Sequence, residues 1–250
     1  MTSKIIIEAN QISKHFERKI ALSSLSFTIY QGERVALIGS SGAGKTTLLN
    51  TIAGLVTLES GTLIIDEKPL SQYKSGKIFA KKVGVIRQQF DLIGPLAVVH
   101  NVLAGKLSEW GFFKSLLSLV IPQEKDAAAK ALTRVGLANK LYERTTNLSG
   151  GEQQRVALAR LIVQNPEIIL ADEPVASLDP ARAEDILTML TKLVTEENQT
   201  LIASMHSVEY ARKFFTRIIA LKNGGLFFDL PTEKVTDDML TNLYQIKEQE

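Results

Sequence analysis

The chain has 250 residues, 45% of them hydrophobic, enough to bury a sizeable core in one large domain or a core with a subdomain. Its 29 Lys and Arg against 27 Asp and Glu give a formal net charge of +2, too small to argue for nucleic acid as a partner. The lack of cysteine excludes disulfides, thiolate metal sites and cysteine nucleophiles, fits a reducing compartment and makes the cytosol the default. The opening Met1-Thr2-Ser3-Lys4-Ile5-Ile6-Ile7-Glu8 has too short an apolar run for a signal peptide. No uncharged run approaches a membrane span, so any membrane role is expected to pass through a partner protein.

Strands are predicted at Ile5 to Ala9 and Leu25 to Ile29, joined by a polar stretch containing Lys14-His15-Phe16. Gly32 turns the chain into a strand at Arg34 to Ile38, a helix follows from Leu48, and another short strand lies within Glu59 to Asp66. Ser71 to Gly76 reads as a loop or short helix, and Val83 to Ile86 as an apolar strand ending at Gln88-Gln89. From Leu92 to about Leu148 the periodicity is mainly helical, clearest at Val98 to Leu103 and Glu124 to Val135. Within it, the cluster Trp110-Gly111-Phe112-Phe113 with Leu116-Leu117 is expected to pack in the core or semi-exposed rather than form a partner surface. The continuous apolar run Ile168 to Ala171 is that of a strand buried on both faces. A helix at Ala181 to Val194, a strand at Thr200 to Ser204, a short helix at Ser207 to Lys213, and strands near Arg217 to Leu221 and Leu226 to Phe228 complete an alternating pattern. That alternation predicts a parallel α/β sheet, with a surface helix over about 237–250.

Three stretches carry chemistry. Gly39-Ser40-Ser41-Gly42-Ala43-Gly44-Lys45-Thr46-Thr47 fits G-x-x-x-x-G-K-[ST] between an apolar strand and a helix. Its glycines let backbone N–H groups wrap nucleotide phosphates, Lys45 reaches the β- and γ-phosphates and the Thr46 hydroxyl reaches Mg²⁺. Asp172 and Glu173 follow a buried strand, where open α/β sheets bind ligand; Asp172 is placed to hold Mg²⁺ through water and Glu173 to act as general base. Leu148-Ser149-Gly150-Gly151-Glu152-Gln153-Gln154-Arg155 opens a helix with capping-box spacing at Ser149 and Glu152. Two glycines in its first turn weaken that helix by roughly 1 kcal/mol each, a cost that makes sense if a phosphate approaches bare backbone there.

Together these stretches resemble the ATP-binding subunit of ATP-binding-cassette (ABC) transporters, over nearly the whole chain. The resemblance implies one nucleotide-binding domain over residues 1–250 with the phosphate-loop NTPase fold. Its mostly parallel core would carry an N-terminal antiparallel β subdomain and a helical subdomain inserted at about 92–160. It implies ATP and Mg²⁺ as cofactors and a head-to-tail homodimer in which Ser149, Gly150 and Gly151 of one subunit cap the γ-phosphate held by Lys45 of the other. Phe16 matches the aromatic that stacks on adenine, and His206 the switch histidine at the γ-phosphate. Gln88 matches the glutamine that touches Mg²⁺ and links core to helical subdomain, with adjacent Gln89 the alternative. Ser177-Leu178-Asp179 matches the loop that crosses the dimer interface. Two transmembrane permease subunits, an outer substrate-binding protein and a peripheral place on the cytoplasmic face of the inner membrane are implied, with no nucleic acid.

The run Ala171 to Pro180, with Val-Ala-Ser before Leu-Asp, is similar to phosphonate importers, as are Gln88 to Leu92, Asn101 to Leu107, the insertion near Trp110, Met205 to Ala211 and Leu243-Tyr244. Uptake of phosphonates or related phosphorus oxyanions is the leading expectation. The alternatives are another small solute such as an amino acid, an export role, or a cassette ATPase acting on DNA or ribosomes. Arg87, Asp91, Glu152 and Ser207 depart from the family's commoner residues, and Arg87 and Asp91 fall where a permease is expected to dock.

Overall fold

The computed structural model describes residues 4–17, 19–73, 76–176 and 178–245. In chain order its elements are β1 (Ile5–Phe16), β2 (Lys19–Tyr30), β3 (Arg34–Ile38), α1 (Lys45–Ile52), β4 (Ser60–Ile65), β5 (Lys68–Pro69), α2 (Gly76–Lys82), β6 (Val83–Ile86) and α3 (Val98–Leu103). They continue with α4 (Phe112–Ser118), α5 (Lys125–Arg134), α6 (Gly150–Gln164), β7 (Ile168–Asp172) and α7 (Pro180–Glu196). The last are β8 (Thr200–Ser204), α8 (Val208–Phe214), β9 (Arg217–Lys222), β10 (Gly225–Pro231) and α9 (Asp237–Tyr244). The chain divides into two compact units, the first holding the chain up to Tyr73, Leu170–Glu173 and everything from Thr200, the second the stretches between.

The first unit is built on two sheets. One is antiparallel in the order β2-β1-β4-β5. The other places β10, β9, β3 and β8 side by side, with the end of β7 next to β8. β3 runs parallel to both β8 and β9, and β10 closes the edge antiparallel to β9. Val35 to Ile38 of β3 and all of β8 are buried, which is why Val35 to Ile38 and Leu201 to Ala203 read as apolar runs. The parallel strands aim their C-terminal ends at the loop before α1. α9 is capped by the Thr236 hydroxyl, which accepts from Met239 N–H, and buries Leu240 and Leu243.

The second unit is helical, with α6 packed against α3, α5 and α7. Val99, Val102, Ala131, Leu132, Val156 and Ala157 form its core. Gln164, at the end of α6, donates to Ala80 O at 2.7 Å and Val83 O at 3.1 Å, tying off the junction of α2 and β6. Asn101 of α3 is buried and holds Ile93 on both sides: its Oδ1 accepts from Ile93 N–H at 2.7 Å and its Nδ2 donates to Ile93 O at 3.0 Å. The same amide donates to Thr145 Oγ1 at 2.8 Å.

Several expectations change. β1 does not stop near Ala9 but runs to Phe16, because bulges between Ala9 and Ile12, with Gln11 at φ 49°, re-aim the strand and let Lys14-His15-Phe16 pair with β2. Of the loop or short helix expected at Ser71 to Gly76, a 3₁₀ turn covers Leu70–Gln72, Lys74 and Ser75 lie outside the described residues, and a helix begins at Gly76. The C-terminal helix ends at Tyr244, and residues 246–250 lie outside the described residues. The Trp110 cluster splits: Trp110 is buried, but Phe112 and Phe113 are 74% and 84% exposed, and Leu116 and Leu117 are also exposed. Helical spacing shows that a face is apolar and says nothing about which way that face points.

Asn101→Ala removes one buried and two part-buried hydrogen bonds at once and should lower stability by about 3 kcal/mol. Urea unfolding should show a lower midpoint, with faster amide exchange at Ile93. A wild-type midpoint with unchanged exchange would contradict the role given to Asn101.

Candidate nucleotide site

The site in the first unit begins with the loop Gly39 to Gly44. Gly39 sits at φ 147° and a Cβ there would lie 2.2 Å from Leu221 O, so the backbone passes β9 too closely for any side chain. Gly44 sits at φ 107°, with Ala21 O 2.4 Å from where its Cβ would be, and forms the left-handed N-cap of α1. The turn of the β9–β10 hairpin braces the loop, as Gly224 N–H donates to Ala43 O at 3.1 Å. Tyr244 of α9 accepts a hydrogen bond from the backbone of Gly39, and its partial burial pushes the phenol up from its ordinary pKa.

Lys45 is buried to 6% exposure and donates to Gly39 O at 2.8 Å and Ser40 O at 3.2 Å, which holds its ammonium inside the loop. Burial lowers its pKa, an effect opposed by the negative charges of Glu173 and then Asp172. Thr46 Oγ1 donates to Asp172 Oδ1 at 3.2 Å. Ser204, fully buried at the end of β8, donates to the same Asp172 oxygen at 2.7 Å and accepts from Glu173 N–H at 2.8 Å. Glu173 is held at φ 51°, left-handed backbone that a non-glycine residue adopts only where its surroundings impose it. His206 Nε2 lies 2.5 Å from Glu173 Oε1.

Phe16, Ser41, Gly42, Lys45, Thr46, Thr47, Glu173 and His206 line one cavity of about 220 Å³, together with Lys19 and Ala21 of β2. The Phe16 ring is 48% exposed, with Lys14 Nζ 5.2 Å from its centroid, so one edge of the cavity offers an open aromatic face. The cavity therefore joins an aromatic platform, a phosphate loop with its lysine, a hydroxyl beside a carboxylate, and a second carboxylate paired with a histidine. Sequence reading missed Ser204 and Lys19. The one visible signal for Ser204 was a hydroxyl ending an otherwise apolar strand.

In the second unit, Gln88 and Gln89 are both exposed on the loop that leaves β6. Phe90 and Asp91 follow at φ 58° and 47°, and their carbonyls accept from Arg160 of α6 at 2.9 and 3.0 Å. Burial pulls the Arg160 pKa below its ordinary value. Arg87 and Asp91, two of the departures noted above, pair with each other at 3.2 Å. At the start of α6, Ser149 and Glu152 form the expected capping box. Glu152 Oε2 accepts from Ser149 N–H at 2.9 Å and from the Ser149 hydroxyl at 2.8 Å, contacts that hold its carboxyl below the usual carboxylate range. A Cβ on Gly150 would meet nothing within 4 Å, and one on Gly151 only Arg182 Cδ at 3.8 Å. Internal packing does not demand these glycines, which fits a backbone kept bare for a ligand. Leu178 and Asp179 precede α7, Asp179 capping it by accepting from Arg182 N–H, whereas Ser177 lies outside the described residues.

The fold and the first unit's cavity define a nucleotide-binding cassette of the phosphate-loop class. The ABC transporter family model matches residues 22–176, and the chain belongs to that family. It is 42% identical over 250 residues to the phosphonates import ATP-binding protein PhnC 1 of Nostoc sp., covering 98% of this chain and 94% of the relative. It is 42% identical to the protein of the same name from Pseudomonas syringae pv. syringae, over 92% of this chain and 88% of the relative. Among solved structures, the post-hydrolysis dimer of the ATP-binding cassette MJ0796 bound to ADP and Pi matches with a TM-score of 0.75 and 31% identity. That match covers 91% of this chain and 99% of MJ0796. The ADP conformation of the cassette MJ1267 gives a TM-score of 0.81 at 23% identity, over 96% of this chain and 95% of that one, a likeness of fold.

Ser204→Ala should leave Glu173 N–H without its acceptor and Asp172 with Thr46 alone of its two hydroxyl donors. We expect kcat for ATP hydrolysis to fall by about tenfold to a hundredfold with KM within about twofold, and Ser204→Thr to restore most of it. Equal changes in kcat and KM, or no rescue by threonine, would remove Ser204 from a positioning role. Lys45→Ala should lose ATP affinity by calorimetry, and unchanged binding would count against the phosphate-loop assignment.

Proposed function

We propose that this chain is the ATP-hydrolysing subunit of an importer for phosphonates or related phosphorus oxyanions. The observation that carries the hydrolytic part is the convergence of Lys45, Thr46, Glu173 and His206 on one cavity, with Asp172 held to Thr46 behind it. The cargo class rests on the phosphonate-import names of relatives that match almost the whole chain.

The adenine stacks on Phe16 and the phosphates lie in the loop Gly39, Ser40, Ser41, Gly42, Ala43, Gly44, with Thr47 at its end. Lys45 exchanges its two loop carbonyls for phosphate oxygens. The Thr46 hydroxyl and the Asp172 carboxylate, already within 3.2 Å, form an oxygen donor pair of the kind Mg²⁺ takes alongside phosphates. When bound, that ion would neutralise charge building on the phosphates. Glu173 removes a proton from water as the water oxygen bonds to the γ-phosphorus and the bond to the β–γ bridging oxygen breaks, releasing ADP and inorganic phosphate. His206 orients the Glu173 carboxylate through their short contact. Gln88 keeps the role that family likeness assigns it.

A second copy completes the site, with its Ser149, Gly150 and Gly151 meeting the γ-phosphate at the open start of α6. Dimer closure is then the step that moves two transmembrane permease subunits, fed by an outer substrate-binding protein, from the inner face of the membrane. Residues of about 92–160 act as the helical subdomain of this single cassette.

The reading is tested by growth of the source cell, with and without the gene, on a phosphonate as sole phosphorus source. We expect loss of growth on the phosphonate but not on phosphate, restored by the wild-type gene and not by Glu173→Gln. Unchanged growth in a strain with no second importer would overturn the cargo class.

A further inference from the structure

The hairpin that carries the aromatic platform also carries a cation that is no part of the phosphate-loop motif. Phe16, the last residue of β1, stands directly opposite Lys19, the first of β2, and residues so opposed project to the same face of a sheet. Ala21, two positions on, shares that face, and Phe16, Lys19 and Ala21 all line the nucleotide cavity. Backbone contact sets the strand in place. Ala21 O lies 2.4 Å from where a Gly44 Cβ would be, so β2 rests directly on the loop. Two loop positions earlier, Lys19 Nζ lies 3.3 Å from where a Cβ on Gly42 would be, which sets an ammonium beside the loop at the cavity.

The neighbouring cations are engaged. Lys45 donates to two loop carbonyls, and Lys14 pairs with Glu59 at 3.5 Å while lying over the Phe16 ring. Glu173, the carboxylate that lines the cavity, is taken up by His206. Lys19 is exposed and, among the described residues, has neither an ion pair nor a hydrogen bond. Two ammonium groups lining one cavity of about 220 Å³ repel each other, and a polyanion bound between them turns that repulsion into attraction. Lysine is a point-charge ligand for phosphate, with a stem long enough to follow it. We infer that Lys19 is a second phosphate-binding cation of the nucleotide site, meeting the phosphates nearest the ribose. The inference rests on the reading that adenine stacks on Phe16. Lys19 stands opposite that ring, whereas Thr46, Glu173 and His206 mark the hydrolytic end. One hairpin then reads the nucleotide twice, its ring taking the base and its ammonium the charge. The contact is common to ATP and ADP, so it serves binding more than the transition state.

The test is calorimetry on the purified full chain with Mg²⁺, titrating ADP and a non-hydrolysable ATP analogue. Lys19→Gln should raise both Kd values by about tenfold, equally within about twofold, and Lys19→Arg should stay within about threefold of wild type. The gap between wild type and Lys19→Gln should shrink as salt rises from about 0.1 M to about 0.5 M. In steady-state hydrolysis the rise in KM should exceed any fall in kcat, the pattern of uniform binding. Phe16→Ala, measured alongside, should weaken both nucleotides. Wild-type affinity in Lys19→Gln while Phe16→Ala weakens binding would make Lys19 a solvated surface lysine and overturn this inference alone. Wild-type affinity in Phe16→Ala would overturn the adenine platform and, with it, the ribose-side placement of Lys19. A loss confined to the ATP analogue would put the ammonium at the γ-phosphate and overturn that placement as well.

Discussion

One buried hydroxyl sets the geometry on which the reactive end of this molecule depends. Two neighbouring carboxylates at the end of a buried strand would otherwise share one environment and one role. Ser204 separates them by donating to Asp172 and accepting from the backbone of Glu173. Asp172 is thereby turned toward Thr46 at the end of the phosphate loop. The chain reverses into left-handed backbone at Glu173, and its carboxylate is sent the other way, to His206. Because Ser204 ends β8, which pairs directly with β3, the hydroxyl is placed by the same parallel sheet that delivers the loop to α1. Sheet register and the separate placement of the two carboxylates are thus one constraint.

The second unit solves a different problem, holding exposed functional backbone in fixed shape. The loop after β6 contains two consecutive residues in left-handed conformation, a strain of the order of 1–3 kcal/mol each that must be offset by its surroundings. Arg160 does so by gripping both carbonyls, and Asn101 clamps the chain a few residues further on. Arg160 lies on the helix whose first turn carries Ser149, Gly150 and Gly151. A single guanidinium thus ties α6 to the loop bearing Gln88 within one compact unit.

The residues brought together at the cavity were legible in the sequence because they lie in short, contiguous patterns. Lys45, Thr46 and the Asp172-Glu173 pair needed no tertiary information to be found. The parallel strands were legible for a related reason, since burial on both faces leaves an unbroken apolar run. What escaped was long-range or directional. Ser204 acts on residues 31 and 32 positions away, and nothing in its neighbours marks it. The true length of β1 depends on bulges at positive-φ residues that strand propensity penalises. The Phe112 stripe was visible as a pattern, but its outward orientation is decided by Trp110, Glu124 and His100, which periodicity does not weigh. The departures Arg87 and Asp91 form an ion pair with each other, a relation that no single position displays.

The central claim is that Glu173 is the base of a site completed only by a second copy. Sedimentation of the Glu173→Gln chain, 27.5 kDa as a monomer, with ATP and Mg²⁺ tests it most directly. The account predicts a stable dimer retaining unhydrolysed ATP, which dissociates when ADP replaces ATP. A monomer that turns over ATP at the wild-type rate would contradict both halves of the claim.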